Sequence, residues 1–110
     1  MKKTVFVVLF LLLLVSASLA AEEKFPLKDV TVESISGMAM VQGEITNNSG
    51  KAYNTAIFKI SFYDGNGKLV GVADFAIENF SVGETVTFDG VGTKEIKGWK
   101  TYKVRLDMSA

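Results

Sequence analysis

Beyond residue 28 the chain alternates: apolar side chains recur at every second position, and a 3.6-residue period is almost absent. Val30 and Val32 start the pattern. Ile35 then falls out of phase, which predicts a bulge or a change of partner near Glu33-Ser34. Met38 to Thr46 places Ala39, Val41, Gly43 and Ile45 on one face, with Met38, Met40, Gln42 and Glu44 on the other. Asn47-Asn48-Ser49-Gly50 is a dense cluster of turn formers. Ala52 to Tyr63 is the longest predicted strand, with Ala56, Phe58, Ile60 and Phe62 inward. Lys68 to Glu78 turns Leu69, Gly71, Ala73, Phe75 and Ile77 inward. Thr85 to Val91 alternates around Val86 and Phe88, and Thr93 to Lys97 reads as a polar loop. Trp99 to Met108 closes the chain, with Tyr102, Val104, Leu106 and Met108 inward.

These segments predict an all-β domain of six to seven short strands. One wet face and one buried face per strand is the signature of antiparallel sheets. Two such sheets stacked core to core make an antiparallel β-sandwich. A small barrel is the alternative.

The first twenty residues read differently. Lys2 and Lys3 precede an unbroken apolar run, Val5 to Val15, followed by small residues at Ser18 and Ala20. This is the layout of a secretory signal peptide with cleavage after Ala20. A bilayer-spanning helix needs about 20 apolar residues, more than this run supplies. No Cys stands near the junction, which excludes a lipid-attachment site. The expected organisation is a signal peptide over 1–20, a polar lead over 21–28 and one β domain over 29–110. The processed protein would be secreted or periplasmic, with no stable membrane span.

Without Lys2 and Lys3, 10 of the 12 basic residues remain against 12 acidic ones, a net charge of −2 with no basic run. Nucleic acid is therefore not an expected partner, because phosphate neutralisation needs clustered Lys and Arg. The chain has no Cys and no His. Thiolate and imidazole zinc sites are thereby excluded, as are Ser-His-Asp and Cys-His catalysis. The acids fall on outward positions or in turns, so nothing in the sequence brings two together in a cleft. No catalytic residue, cofactor or metal site is expected.

The stretch Asp64-Gly65-Asn66-Gly67-Lys68 resembles the start of a calcium loop. With Asp64 first, however, the fifth position is Lys68, a cation, and the twelfth is Phe75 rather than Glu. Two glycines flanked by alternating strands make a hairpin turn instead.

Several of these pieces resemble one family. Val41-x-Gly43-x-Ile45-x-Asn47-Asn48-Ser49-Gly50 leads a strand ending Ile60-x-Phe62-Tyr63-Asp64. Gly67-Lys68-Leu69-Val70-Gly71 follows, then Phe80-x-Val82-Gly83-Glu84-Thr85 before Phe88. In order and spacing this is similar to the FxLYD domain, a small extracytoplasmic module of bacteria and archaea. Ile60 stands where the name-giving Phe would be, and Val82 where a Pro would precede Gly-Glu. The resemblance implies an immunoglobulin-like sandwich and a non-catalytic envelope or secreted domain. It carries over no active-site residues.

The candidate contact residues are aromatic or apolar side chains off the core face. Tyr53, Tyr63 and Trp99 could stack on sugars or anchor a partner. Met38 and Met40 either lie beneath the first strand or form an apolar patch for a partner. The expected function is surface interaction with a protein or cell-envelope component. The alternative is a carbohydrate-binding module that holds a glycan on the three aromatics.

Overall fold

The computed structural model describes residues 23–110. The segment read as a signal peptide lies outside the described residues. Six strands form: β1 (Leu27–Ile35), β2 (Met38–Thr46), β3 (Tyr53–Tyr63), β4 (Leu69–Phe80), β5 (Thr85–Gly92) and β6 (Thr101–Ser109). All pair antiparallel in one sheet of order β1-β2-β5-β4-β3-β6, and no helix occurs among the described residues.

The alternation explains the strands residue by residue. Ala56, Phe58, Ile60 and Phe62 are fully buried in β3, and Ala39, Val41 and Ile45 in β2. Ala73, Phe75 and Ile77 in β4 and Phe88 in β5 complete the same face. Fully burying a Phe or Ile side chain contributes about 1.5–3 kcal/mol. The period-two face is therefore the main term selecting this register over one slipped by a residue.

The ladder is uneven. β2–β5 and β3–β4 pair along most of their length, whereas β4 and β5 meet at one bridge, Asp74 with Val91. The sheet thus consists of two halves, β1-β2-β5 and β4-β3-β6, joined at a narrow seam. Side chains close the seam. Phe75 stacks on Phe88 with centroids 4.1 Å apart, and Phe25 meets Phe58 edge-on at 4.9 Å. Phe25 precedes β1 at one edge, and Phe58 lies in β3 beside the other edge. The sheet must therefore curl on itself. At the bend β5 carries glycine: a Cβ on Gly92 would lie 2.7 Å from the Val72 carbonyl oxygen, so only glycine lets the two backbones approach.

Several expectations change. The irregularity in β1 lies between Lys28 and Thr31, not at Glu33-Ser34, and Asp29 takes a φ of 56° there. Beyond it β1 pairs continuously, and Ile35 is out of phase because it lies opposite exposed Met38 next to the turn. Leu69 is 52% exposed, because a register shift between Phe62 and Tyr63 turns it away from the core. Met108 is 65% exposed, because a register shift between Ile57 and Phe58 sets it opposite outward-facing Ile57 while Leu106 stays opposite Phe58. The polar lead is part of the domain: Phe25 is buried, and the Pro26 carbonyl accepts from Thr46 N–H at 3.1 Å. The loop 93–97 is not wholly polar either, since Ile96 is buried against Gly71 and Gly92.

Asn47 is the only fully buried polar residue among those described. Its Nδ2 donates to the carbonyls of Lys51 at 2.8 Å and Phe80 at 3.3 Å. Its Oδ1 accepts from Ser49 N–H and Ser49 Oγ. Its backbone N–H donates to the Glu84 carbonyl, and its own carbonyl accepts from Gly83 N–H. One side chain thus ties the ends of β2 and β4 to the start of β3.

Asn47→Ala leaves the buried Phe80 carbonyl short of a donor and removes one of the two donors to the Lys51 carbonyl, which keeps Ser49 Oγ at 3.2 Å. The expected loss is about 2–3 kcal/mol by urea denaturation with fold retained. Gly71→Ala drives a methyl group into Ile96 and should cost about 1–3 kcal/mol. Combined with Ile96→Val, the cost should fall below the sum of the two, because both changes act on one space.

Candidate functional site

The loop Asp64–Lys68 is a closed hairpin. Asp64 N–H donates to the Lys68 carbonyl at 2.8 Å, and Gly67 N–H to the Asp64 carbonyl at 3.1 Å. The Asp64 carboxylate turns inward over its own loop. Its Oδ1 accepts from the backbone N–H groups of Lys68 and Asn66, each at 2.9 Å. Gly67 has a φ of 80°, the left-handed conformation that closes such a turn. These two N–H groups, with a smaller contribution from the Lys68 charge, hold the Asp64 carboxyl below its ordinary range. Asp64 is therefore occupied as a structural cap.

The five contact candidates do not form one site. Tyr53 opens β3 and Tyr63 ends it, so about 33 Å of strand separates them. Tyr53 packs against Phe25 at 6.1 Å, with Lys51 Nζ 5.6 Å from its ring centroid. Tyr63 carries Lys103 Nζ over its ring at 5.9 Å. Trp99 is half-buried and sits edge-on to Phe62 at 5.3 Å, with Tyr102 6.0 Å away. It plugs the core beside β6. Tyr63 and Trp99 share one end of the fold, and Tyr53 stands at the other.

Met38 and Met40 remain uncovered by β1, because β1 lies beside β2 in the sheet instead of crossing over it. Met38 is 43% exposed, and Ile35, its partner across the ladder, 48%. Met40 lies between Glu33 and Val91, the latter 40% exposed. Ile35, Met38, Met40 and Val91 are thus neighbours at this end of the sheet.

One concavity was not anticipated. A groove of about 990 Å³ runs between the lead into β1 and the outer edge of β6. One wall is formed by Glu23, Lys24, Phe25 and Leu27, and the other by five consecutive residues, Tyr102 to Leu106. Ser49, Lys51 and Tyr53 lie at its end. Phe25, Leu27, Val104 and Leu106 make it apolar inside, whereas Lys24, Lys51, Lys103 and Arg105 stand around it, Arg105 in an exposed pair with Asp107 at 3.6 Å. Glu23 is its one acid. Burial raises the Tyr102 phenol above its ordinary value, and the nearby Glu23 carboxylate pushes it the same way. The signal for this groove was faint: only the alternation of Lys103 and Arg105 with Tyr102, Val104 and Leu106 marks it in the sequence.

Asn47-Asn48-Ser49 matches a glycosylation pattern, but the Asn47 amide is buried and already donates twice, so it cannot carry a glycan in the folded state.

Asp64→Ala should lower the melting temperature at neutral pH, and Asp64→Asn should lower it less, because the amide oxygen still accepts. A folded-state pKa held low stabilises the fold above the ordinary carboxylate range, and that stabilisation is lost as pH falls through the lowered value. The difference between wild type and Asp64→Asn should thus shrink in melts taken from about pH 6 to about pH 2.

Compared with protein-family models, curated proteins and solved structures, the chain matches none.

Proposed function

We propose that the chain is an exported, non-catalytic β-sandwich module that acts through its surface on a protein or a cell-envelope component. The two halves of the sheet would be the two layers of an immunoglobulin-like sandwich of the FxLYD kind. The strand order supports this: β1-β2-β5 corresponds to one layer of that architecture, and β3 with β6 to the centre of the other. The residues of the resemblance also occupy structural positions. Phe62 lies in the core, Asp64 caps the hairpin, and Gly83 N–H donates to the Asn47 carbonyl at 2.7 Å.

The observation that carries the reading is the groove at the β6 edge. Strand backbone and cationic side chains line it, and Glu23 is the one carboxylate there. Such a surface is suited to holding a partner and lacks the paired acids that hydrolysis of a glycosidic bond uses. The carbohydrate reading gains no comparable support, because Tyr53 stands a strand length from Tyr63 and lysines lie over both tyrosine rings.

Affinity capture from native envelope extract by the immobilised full chain tests the proposal, with a glycan array run beside it. The expected result is saturable retention of a protein or envelope component, with no sugar held at about 1 mM. Sugar binding that disappears in Trp99→Ala would overturn the reading, as would a folded chain that retains nothing.

A further inference from the structure

An immunoglobulin-like sandwich places a further strand beside the one that β6 represents. Among the described residues that place is open: β6 pairs with β3 along one edge, and no strand pairs along the other. The groove lies there. A wall made of five consecutive strand residues includes both faces of β6 and the backbone edge between them. That edge presents unpaired N–H and C=O groups.

We propose that the groove binds an extended peptide of alternating apolar and acidic residues, which adds to β6 as a new strand. The inference rests on the surface-interaction reading above and specifies its partner. The geometry fixes the chemistry of the occupant. An added strand points alternate side chains to opposite faces. One set would meet Tyr102, Val104 and Leu106 from β6, with Phe25 and Leu27 across the groove. The other set would meet Lys103 and Arg105, a peptide carboxylate taking the place of Asp107 in its long, exposed pair with Arg105. The first environment selects apolar residues, the second acidic ones. Lys24 and Lys51 on the far side add to the same preference.

Other occupants fit less well. A second copy pairing edge to edge would set Lys103 and Arg105 against their own like charges. An acyl chain would cover the edge N–H and C=O groups without supplying partners, at a cost for each one. A peptide strand supplies both the hydrogen bonds and the countercharge.

The test uses the full chain and a labelled synthetic peptide of about nine residues, alternating valine and glutamate. Anisotropy should show saturable binding, weakened at least about tenfold when the glutamates become lysines. Lys103→Glu with Arg105→Glu, both at exposed positions, should weaken the acidic peptide about tenfold and make the lysine peptide the better ligand. Hydrogen exchange should show protection of the alternate β6 amides that point away from β3.

No binding at about 1 mM would overturn the proposal. So would equal affinity for both peptides, or protection confined to the Met38 patch. Displacement of the acidic peptide by one with the sequence of residues 5–22 would overturn it by making the chain's own leading segment the occupant. Dimers in sedimentation that the acidic peptide dissociates would do the same in favour of a second copy. If envelope capture succeeds while the peptide fails, only the groove assignment falls. If the folded chain captures nothing, the surface-interaction reading falls with it.

Discussion

The two halves of this sheet are held together by phenylalanine rings more than by backbone hydrogen bonds. Across the β4–β5 seam the ladder contributes one bridge, at Asp74 and Val91. Phe58 lies at the centre of the packing that replaces the missing ladder. It contacts Phe25, Phe75 and Phe80 at 4.9, 5.2 and 6.1 Å, and Phe75 passes the contact on to Phe88. Aromatic pairs contribute about 0.5–1.5 kcal/mol beyond the area they bury. The sheet curls because these rings must meet, and the glycines of β5 let the backbones come close enough for them to do so.

The same constraint produces the groove. Curling the sheet brings the lead into β1 toward β6, but the two edges do not pair. Phe25 anchors one wall to the core, and Asn48 N–H holds that wall through the Lys24 carbonyl at 2.9 Å. Asn47, one residue away, secures the turn between β2 and β3. The position of the groove follows from core packing, whereas its charge comes from side chains that contribute little to the core. Charge and stability can therefore be changed separately there.

Much of the fold was legible from the sequence because a strand exposes its environment in a period of two. The buried positions of β2 and β3 match that period without exception, and the Asp64 hairpin follows from its glycines. The period loses its meaning at the edges. Leu69 and Met108 have the right parity and still face water, because a register shift beside each one turns it outward. Asn47 reads as one turn former among several, since nothing local distinguishes a buried amide from an exposed one. Ile96 reads as a stray apolar residue in a loop until Gly71 and Gly92 are seen to leave it a notch.

The sequence by itself determined the element type, the antiparallel pairing and most of the inward face, because these depend on backbone propensity and on apolar spacing between near neighbours. Tertiary structure alone decided the strand order, the single-bridge seam and the meeting of the lead with β6. Those depend on which distant faces bury each other, and residues such as Phe25 and Phe58 become neighbours only after the chain has curled. The candidate site belongs to this second class, since its two walls come from opposite ends of the described chain.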